Sequence, residues 1–234
     1  MASKKKNSTS QVVYQDIREQ ILHLELAPGA ALSEIETAEK YRISRTPVRD
    51  VFKALEAEGL LEIKPHIGTF VSLIDLDMIS DILYMRETVE QALFRDLSAA
   101  HDKSQEYRIQ LILEEQKQII DSDLPLEEMS RAFIIADNRF HHTLYEMAGK
   151  KNIVTFFNII KAQYERFRTF INMSGKEDLL RLYNDHVTIW TAICSQDFDA
   201  LRNIVSHHIY DGFNASASKL HQHPEYFKIS ENDL

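Results

Sequence analysis

The chain has 234 residues, of which 44% are hydrophobic and 27% charged, with one cysteine and a formal net charge of −9. This length and composition fit one or two globular domains with real cores and exclude a disordered, collagen-like or disulfide-stapled chain. Cys194 has no partner for an intrachain disulfide, and neither a signal peptide nor a membrane span is apparent, so a cytoplasmic protein with no membrane association is expected.

Residues 1–10 carry Lys4-Lys5-Lys6 followed by polar Asn7-Ser8-Thr9-Ser10, which predicts a flexible basic tail able to touch phosphates. Val13, Ile17 and Ile21 give a first amphipathic helix, Pro28-Gly29 a turn, and Ser33-x-x-Glu36 a capping box that opens a second helix. A third helix starts at Ser44, whose hydroxyl suits an N-cap, with Pro47 tolerated in the first turn. Val48, Phe52 and Leu55 form its apolar stripe and leave Arg45, Thr46 and Arg49 facing outward near its N-terminal end. From Lys40 to Lys53 there are five basic residues against the single acid Asp50. Leu61, Ile63 and Thr69 to Val71 are strand formers on either side of Pro65-His66-Ile67-Gly68, a hairpin tip where glycine permits a tight backbone.

Three helices followed by two strands over residues 11–73 make a winged helix-turn-helix with a two-stranded wing, in which the third helix enters the major groove of double-stranded DNA. Arginine can pair bidentately with guanine and threonine can bond base or phosphate, so Arg45, Thr46 and Arg49 suit that task. A basic run of this size is in itself equally a solvated helix face, and a winged helix can also bind protein.

Charge divides unevenly, since residues 1–72 carry ten basic and ten acidic side chains and the remainder 17 against 26. The acidic second part is poorly suited to a polyanion and must have another task. Residues 75–222 show helical spacing almost throughout, with helices expected over 76–100, 104–122, 126–148, 151–172, 176–195 and 197–219, and 223–234 left as a C-terminal tail. The fold class is therefore mainly α, a winged helix-turn-helix followed by an all-helical bundle. Cys194, among Ile189, Trp190 and Ile193, reads as a small buried hydrophobe.

Within the bundle, Asp137-x-x-x-His141 places two ligand groups on one helix face, and His186 and His208 lie on the last two helices. Three imidazoles and a carboxylate suit one divalent transition metal, Zn, Ni, Mn or Fe, with positions left open for water or an oxyanion. Ten histidines, including the doublets His141-His142 and His207-His208, make any one of them alone an equally ordinary structural or solvated residue.

The motifs together resemble a known family. Ile17-Arg18-x-x-Ile21-Leu22, Leu26-x-Pro28-Gly29, Leu32-Ser33-Glu34, Ser44-Arg45-Thr46-Pro47-Val48-Arg49, Glu58-Gly59-Leu60 and Gly68-Thr69-Phe70-Val71 resemble the winged domain of the GntR family of bacterial transcription regulators. That resemblance implies DNA contacts from Arg45, Thr46, Arg49, His66 and Gly68. Two positions depart from it: Ile35 stands where Arg is common, and Arg42 where Gly is common before the Val-Ser pair. Asp137-x-x-Phe140-His141, Asp185-His186, Asp197 and His208 are similar to the FCD ligand-binding domain of the FadR subfamily. This implies that Asp137, His141, His186 and His208 hold a metal at the floor of a helical cavity, with a small organic acid as effector above it. If that implied ligand set holds, His142 and His207 stand about 100° off the facing direction and are not expected to ligate. The same resemblance places Arg86 as an anchor for the effector carboxylate; its spacing to Glu90 equally fits a surface salt bridge.

The expected function is a homodimeric DNA-binding regulator, a repressor if it follows the family's commoner mode, that reads an inverted-repeat operator and responds to a metabolite. Alternatives are a regulator for which the ion itself is the signal, and a metal-dependent enzyme. Against the latter, the chain lacks HExxH, GxSxG and Gly-rich phosphate-loop patterns.

Overall fold

The computed structural model describes residues 9–157, 161–172, 175–215 and 217–228, and the Lys4-Lys5-Lys6 tail lies outside the described residues. In chain order the elements are α1 (Thr9–Leu22), β1 (Ala31–Leu32), α2 (Glu34–Tyr41), α3 (Arg45–Ala57), β2 (Leu61–Lys64), β3 (Gly68–Val71) and β4 (Ile74–Asp75). The helices α4 (Leu76–Ala99), α5 (Lys103–Asp121), α6 (Leu126–Met147), α7 (Lys151–Phe157) and α8 (Lys161–Asn172) follow. After them come α9 (Lys176–Ser195), α10 (Phe198–Ala215), α11 (Ala217–Gln222), a 3-10 turn (Pro224–Tyr226) and β5 (Phe227–Lys228). Two compact units result, one of Met1–Met78, Ile159–Phe167 and Leu220–Leu234, the other of Ile79–Asn158 and Arg168–Lys219.

The first unit is the winged helix-turn-helix. Its core joins Val13, Ile17 and Ile21 of α1 to Val48, Phe52 and Leu55 of α3 and to Leu60 and Val71 at the base of the wing, the stripes that the helical period prescribes. The sheet has three strands in the order β1-β3-β2, all antiparallel, with Leu61 opposite Val71 and Leu32 opposite Thr69. The two-stranded wing is present, and β1 adds to it because the Ala31–Leu32 segment between α1 and α2 runs extended along the open edge of β3. Helix α3 does begin after Ser44, but the Ser44 hydroxyl makes no capping bond. Ser33 does cap α2, its oxygen accepting from the Glu36 N–H at 3.3 Å. Arg42 closes α2 in the left-handed region at φ 54°, which explains why glycine suits that position, and at the wing tip His66 takes φ 63° and Gly68 φ 151°.

Later parts of the chain complete this unit. Gln163 of α8 donates to the Gly59 carbonyl at 2.9 Å, and Arg166 donates to the carbonyls of Ser72 at 2.7 Å and Leu73 at 3.4 Å. Arg166 is fully buried and makes no ion pair among the described residues; burial lowers its pKa to about 10. β5 pairs in parallel with β4, Ile74 opposite Phe227, and Lys228 Nζ stands 3.1 Å from Asp75. The segment expected as a C-terminal tail thus contributes a strand.

The second unit is a helical bundle in which α5 packs on α6 and α9, and α9 on α10. Asp102 caps α5 with a full capping box completed by Gln105. Phe133 and Phe140 of α6 and Ile189 and Ile193 of α9 are among its fully buried apolar side chains. The helix expected over 151–172 is seen as α7 and α8, and the residues between them, 158–160, lie outside the described set. Cys194 is exposed, not buried, because it falls on the outer face of α9 while Ile189 and Ile193 face inward. No described helix is long and apolar enough to cross a membrane.

A left-handed non-glycine residue costs about 1–2 kcal/mol, part of which glycine gives back through its freer unfolded state. Arg42→Gly is therefore expected to stabilise the winged unit by roughly 0.5–1 kcal/mol, read as a higher urea midpoint at an unchanged m-value.

Candidate metal centre and nucleic-acid interface

Helix α6 presents Asp137 and His141 one turn apart, α9 presents His186, and α10 presents His208, all four buried. One ligand atom from each lies within 4.8 Å of every other. His141 Nε2 and His208 Nε2 are 3.3 Å apart, and His186 Nε2 is 3.4 Å from Asp137 Oδ1. Such spacings match neighbouring donors on one ion with bonds about 2.0–2.2 Å long.

The outer nitrogens settle which atoms face inward. His141 Nδ1 stands 3.1 Å from Glu90 Oε2, His186 Nδ1 2.8 Å from Gln116 Oε1, and His208 Nδ1 3.2 Å from Asp185 Oδ2. Gln116 directs its oxygen to His186 because its amide nitrogen donates to the Ala136 carbonyl at 3.3 Å. Behind His186 and His208 an acceptor suits a proton on Nδ1 and leaves Nε2 free to face the centre, the arrangement metal-binding histidines use. His186 Nε2 is buried with no hydrogen-bond partner, an orphan that a cation would satisfy.

The electrostatics agree with this assignment. Burial pushes the His186 pKa down to about 3 and lowers that of His141, so both imidazoles are neutral at physiological pH, the form that ligates. Burial acts to raise Asp137, but the Arg168 guanidinium, 2.7 Å away, and the neighbouring His186 ring outweigh it and hold the carboxyl well below its usual range. Glu90 is likewise held down, against its burial, by Arg86 and His141. The residues present therefore fit one divalent transition metal. His142 and His207 are not part of the cluster.

Arg86 does pair with Glu90, at 2.8 Å, but not on the surface: its side chain is 12% exposed and Glu90 only 1%. Its Nη2 also lies 3.4 Å from His141 Nδ1, which places the guanidinium beside the cluster. Spacing alone did not distinguish a surface pair from a buried one. Glu90, Gln116, Asp185 and Arg168 are the neighbours of the cluster, and of these sequence reasoning named Glu90 only as a partner for Arg86, Asp185 only within a motif, and Gln116 and Arg168 not at all.

In the first unit Arg45, Thr46 and Arg49 are all exposed along the start of α3, and His66 and Gly68 are exposed at the wing tip. Both arginines reach Glu34 at the start of α2.

A winged helix-turn-helix joined to a helical bundle with a buried His/Asp cluster defines a transcription regulator with a separate ligand-binding domain. Residues 9–71 match the model of the bacterial regulatory proteins of the gntR family, and residues 81–211 match the FCD domain. The chain belongs to the GntR family of transcription regulators, in its FCD-containing branch. It is 29% identical over 204 residues, 86% of each chain, to the HTH-type transcriptional repressor RspR of Escherichia coli K12. It is 33% identical over 218 residues to an HTH-type transcriptional regulator in an unstable DNA locus of Streptomyces ambofaciens, covering 92% of this chain and 88% of that one. The structure of McbR/YncC from E. coli shares the fold, with a TM-score of 0.67 at 17% identity over 91% of this chain and 99% of that one. Membership of a family of regulators leaves the enzyme reading without support.

Two outcomes follow for the cluster. Gln116→Leu removes the acceptor behind His186 and is expected to weaken metal binding about 10–100-fold in competition with a chromophoric chelator, while the fold persists. In the metal-free protein His186 refuses a proton that the unfolded chain takes up below its ordinary 6.5. Stability should therefore fall as pH drops from 6.5 towards 3. Glu90 and Asp137, ionised below their ordinary 4.5 and 3.8, add to the loss at the acid end. Thermal midpoints in chelator that were equal at pH 7.5 and pH 5 would contradict a buried neutral His186.

Proposed function

We propose that the protein is a homodimeric, cytoplasmic repressor that reads an inverted-repeat operator through Arg45, Thr46 and Arg49, with His66 and Gly68 of the wing on the adjacent backbone. Asp137, His141, His186 and His208 hold one divalent transition metal per chain, and a small organic acid binds beside it with Arg86 as the anchor for its carboxylate. The observation that carries the reading is the convergence of three imidazoles and one carboxylate, one ligand atom of each within 4.8 Å of the others, in a buried site. The ion would supply a Lewis-acidic position for a carboxylate oxygen, and Arg86, already beside His141, a second positive group.

Dimerisation is supported by an exposed stripe on α4. Tyr84, 66% exposed, and Met85, 41% exposed, lie with Thr88 and Ala92 between exposed Asp81 and Arg95. Two copies packed antiparallel about Thr88 set each Asp81 against the other's Arg95 and each Tyr84 against an Ala92, so charge and size both match. Two-fold symmetry also doubles the base contacts that one winged unit offers.

The two sites are expected to be separable by mutation. An Arg45→Ala, Arg49→Ala variant should lose operator binding and keep its metal, whereas His186→Ala should lose the metal with α3 intact. Electrophoretic mobility shift beside elemental analysis reads both, and operator binding that survives the double substitution would overturn the assignment of α3.

A further inference from the structure

The third charged residue at the start of the helix-turn-helix is an acid, and its placement calls for an explanation. Glu34 is the first residue of α2, where the N-terminal end of the helix favours a carboxylate. Its two oxygens meet Arg49 in a fork-to-fork pair, Nε to Oε1 at 3.0 Å and Nη2 to Oε2 at 2.9 Å, while Arg45 Nη2 donates to the same Oε2 at 3.2 Å. The bond from Arg49 is foremost in holding Glu34 ionised. Both arginines are more than half exposed, and Glu34 is 24% exposed.

An acid among DNA-facing bases weakens attraction for phosphate, because the trio carries a net charge of one where two arginines alone carry two. What Glu34 offers in return is geometry. A guanidinium presents two forked edges, and Glu34 occupies the Nε/Nη2 edge of Arg49, so the Nη1/Nη2 end remains for a base. That end is a fork that matches O6 and N7 of guanine. An arginine held in one rotamer also has less conformational freedom to lose on binding.

We infer that Glu34 is the positioning residue that sets operator specificity: it orients Arg49 and Arg45 for base readout and lowers non-specific affinity for DNA. The inference rests on the proposal that α3 reads DNA. Glu34 itself touches no base; it acts through the two arginines.

The test uses the full-length protein and a library of duplexes with a randomised core. The sequence selected by wild type, and the same duplex with its bases shuffled, are then titrated with wild type, Glu34→Gln and the Arg45→Ala, Arg49→Ala variant at several salt concentrations. Glu34→Gln is expected to bind the shuffled duplex more tightly, with a salt dependence steeper by up to about one phosphate contact. Its ratio of selected to shuffled affinity should fall roughly 10-fold, the scale of one bidentate base contact. An unchanged ratio in Glu34→Gln would overturn the inference, as would an equal gain on both duplexes, which would make Glu34 a competitor for the arginines only. If the arginine variant also keeps the wild-type ratio, α3 is not the reading element and the underlying proposal fails; if it loses the ratio while Glu34→Gln keeps it, the positioning role alone is wrong.

Discussion

Everything in the second unit depends on how a bundle interior accommodates three imidazoles and a carboxylate whose inner atoms converge. Polar groups placed in a core without partners cost about 1–3 kcal/mol each, and more when charged. On the outer side the cost is met in part by Gln116 and Asp185, which stand as acceptors behind Nδ1 of His186 and of His208. On the inner side His186 Nε2 has no partner and two Nε2 atoms face each other at 3.3 Å. A cation placed between these nitrogens would take their lone pairs as ligands.

Five helices serve that one constraint. α6 supplies Asp137 and His141, α9 supplies His186 and the acceptor Asp185, α10 supplies His208, and α4 and α5 supply Glu90 and Gln116. A side chain in this set cannot shift without disturbing one from another helix, so an ion held by the quartet would link its own binding to bundle stability through the same contacts. Arg168 and Arg86 fit the same logic, since each neutralises a buried carboxylate that also touches a histidine of the cluster. A carboxylate effector approaching Arg86 would have to share that guanidinium with Glu90, which gives the effector a direct bearing on His141.

The period of apolar residues was enough to place α1, α3 and most of the bundle helices, because burial of one face is a constraint that sequence records directly. The convergence of the four residues was legible for a related reason: Asp137 and His141 share a face by spacing, and motif resemblance supplied His186 and His208. Glu90 and Gln116 were not legible. Their roles come from packing between helices distant in sequence, and a Glu four residues after an Arg looks the same on a surface as in a core. β1 and β5 were missed because two-residue strands carry no periodicity. Ser44 shows the limit of a cap signal, since an N-cap position can be occupied with its hydroxyl turned elsewhere.

The central claim is that the buried quartet is a metal site. Elemental analysis of the full-length protein, purified without chelator and supplied with a divalent transition metal, tests it beside a His186→Ala, His208→Ala variant of confirmed helical content. About one ion per chain in the first and none in the second is the result predicted by this account. No ion in the metal-supplied wild type, or equal amounts in both proteins, would contradict it.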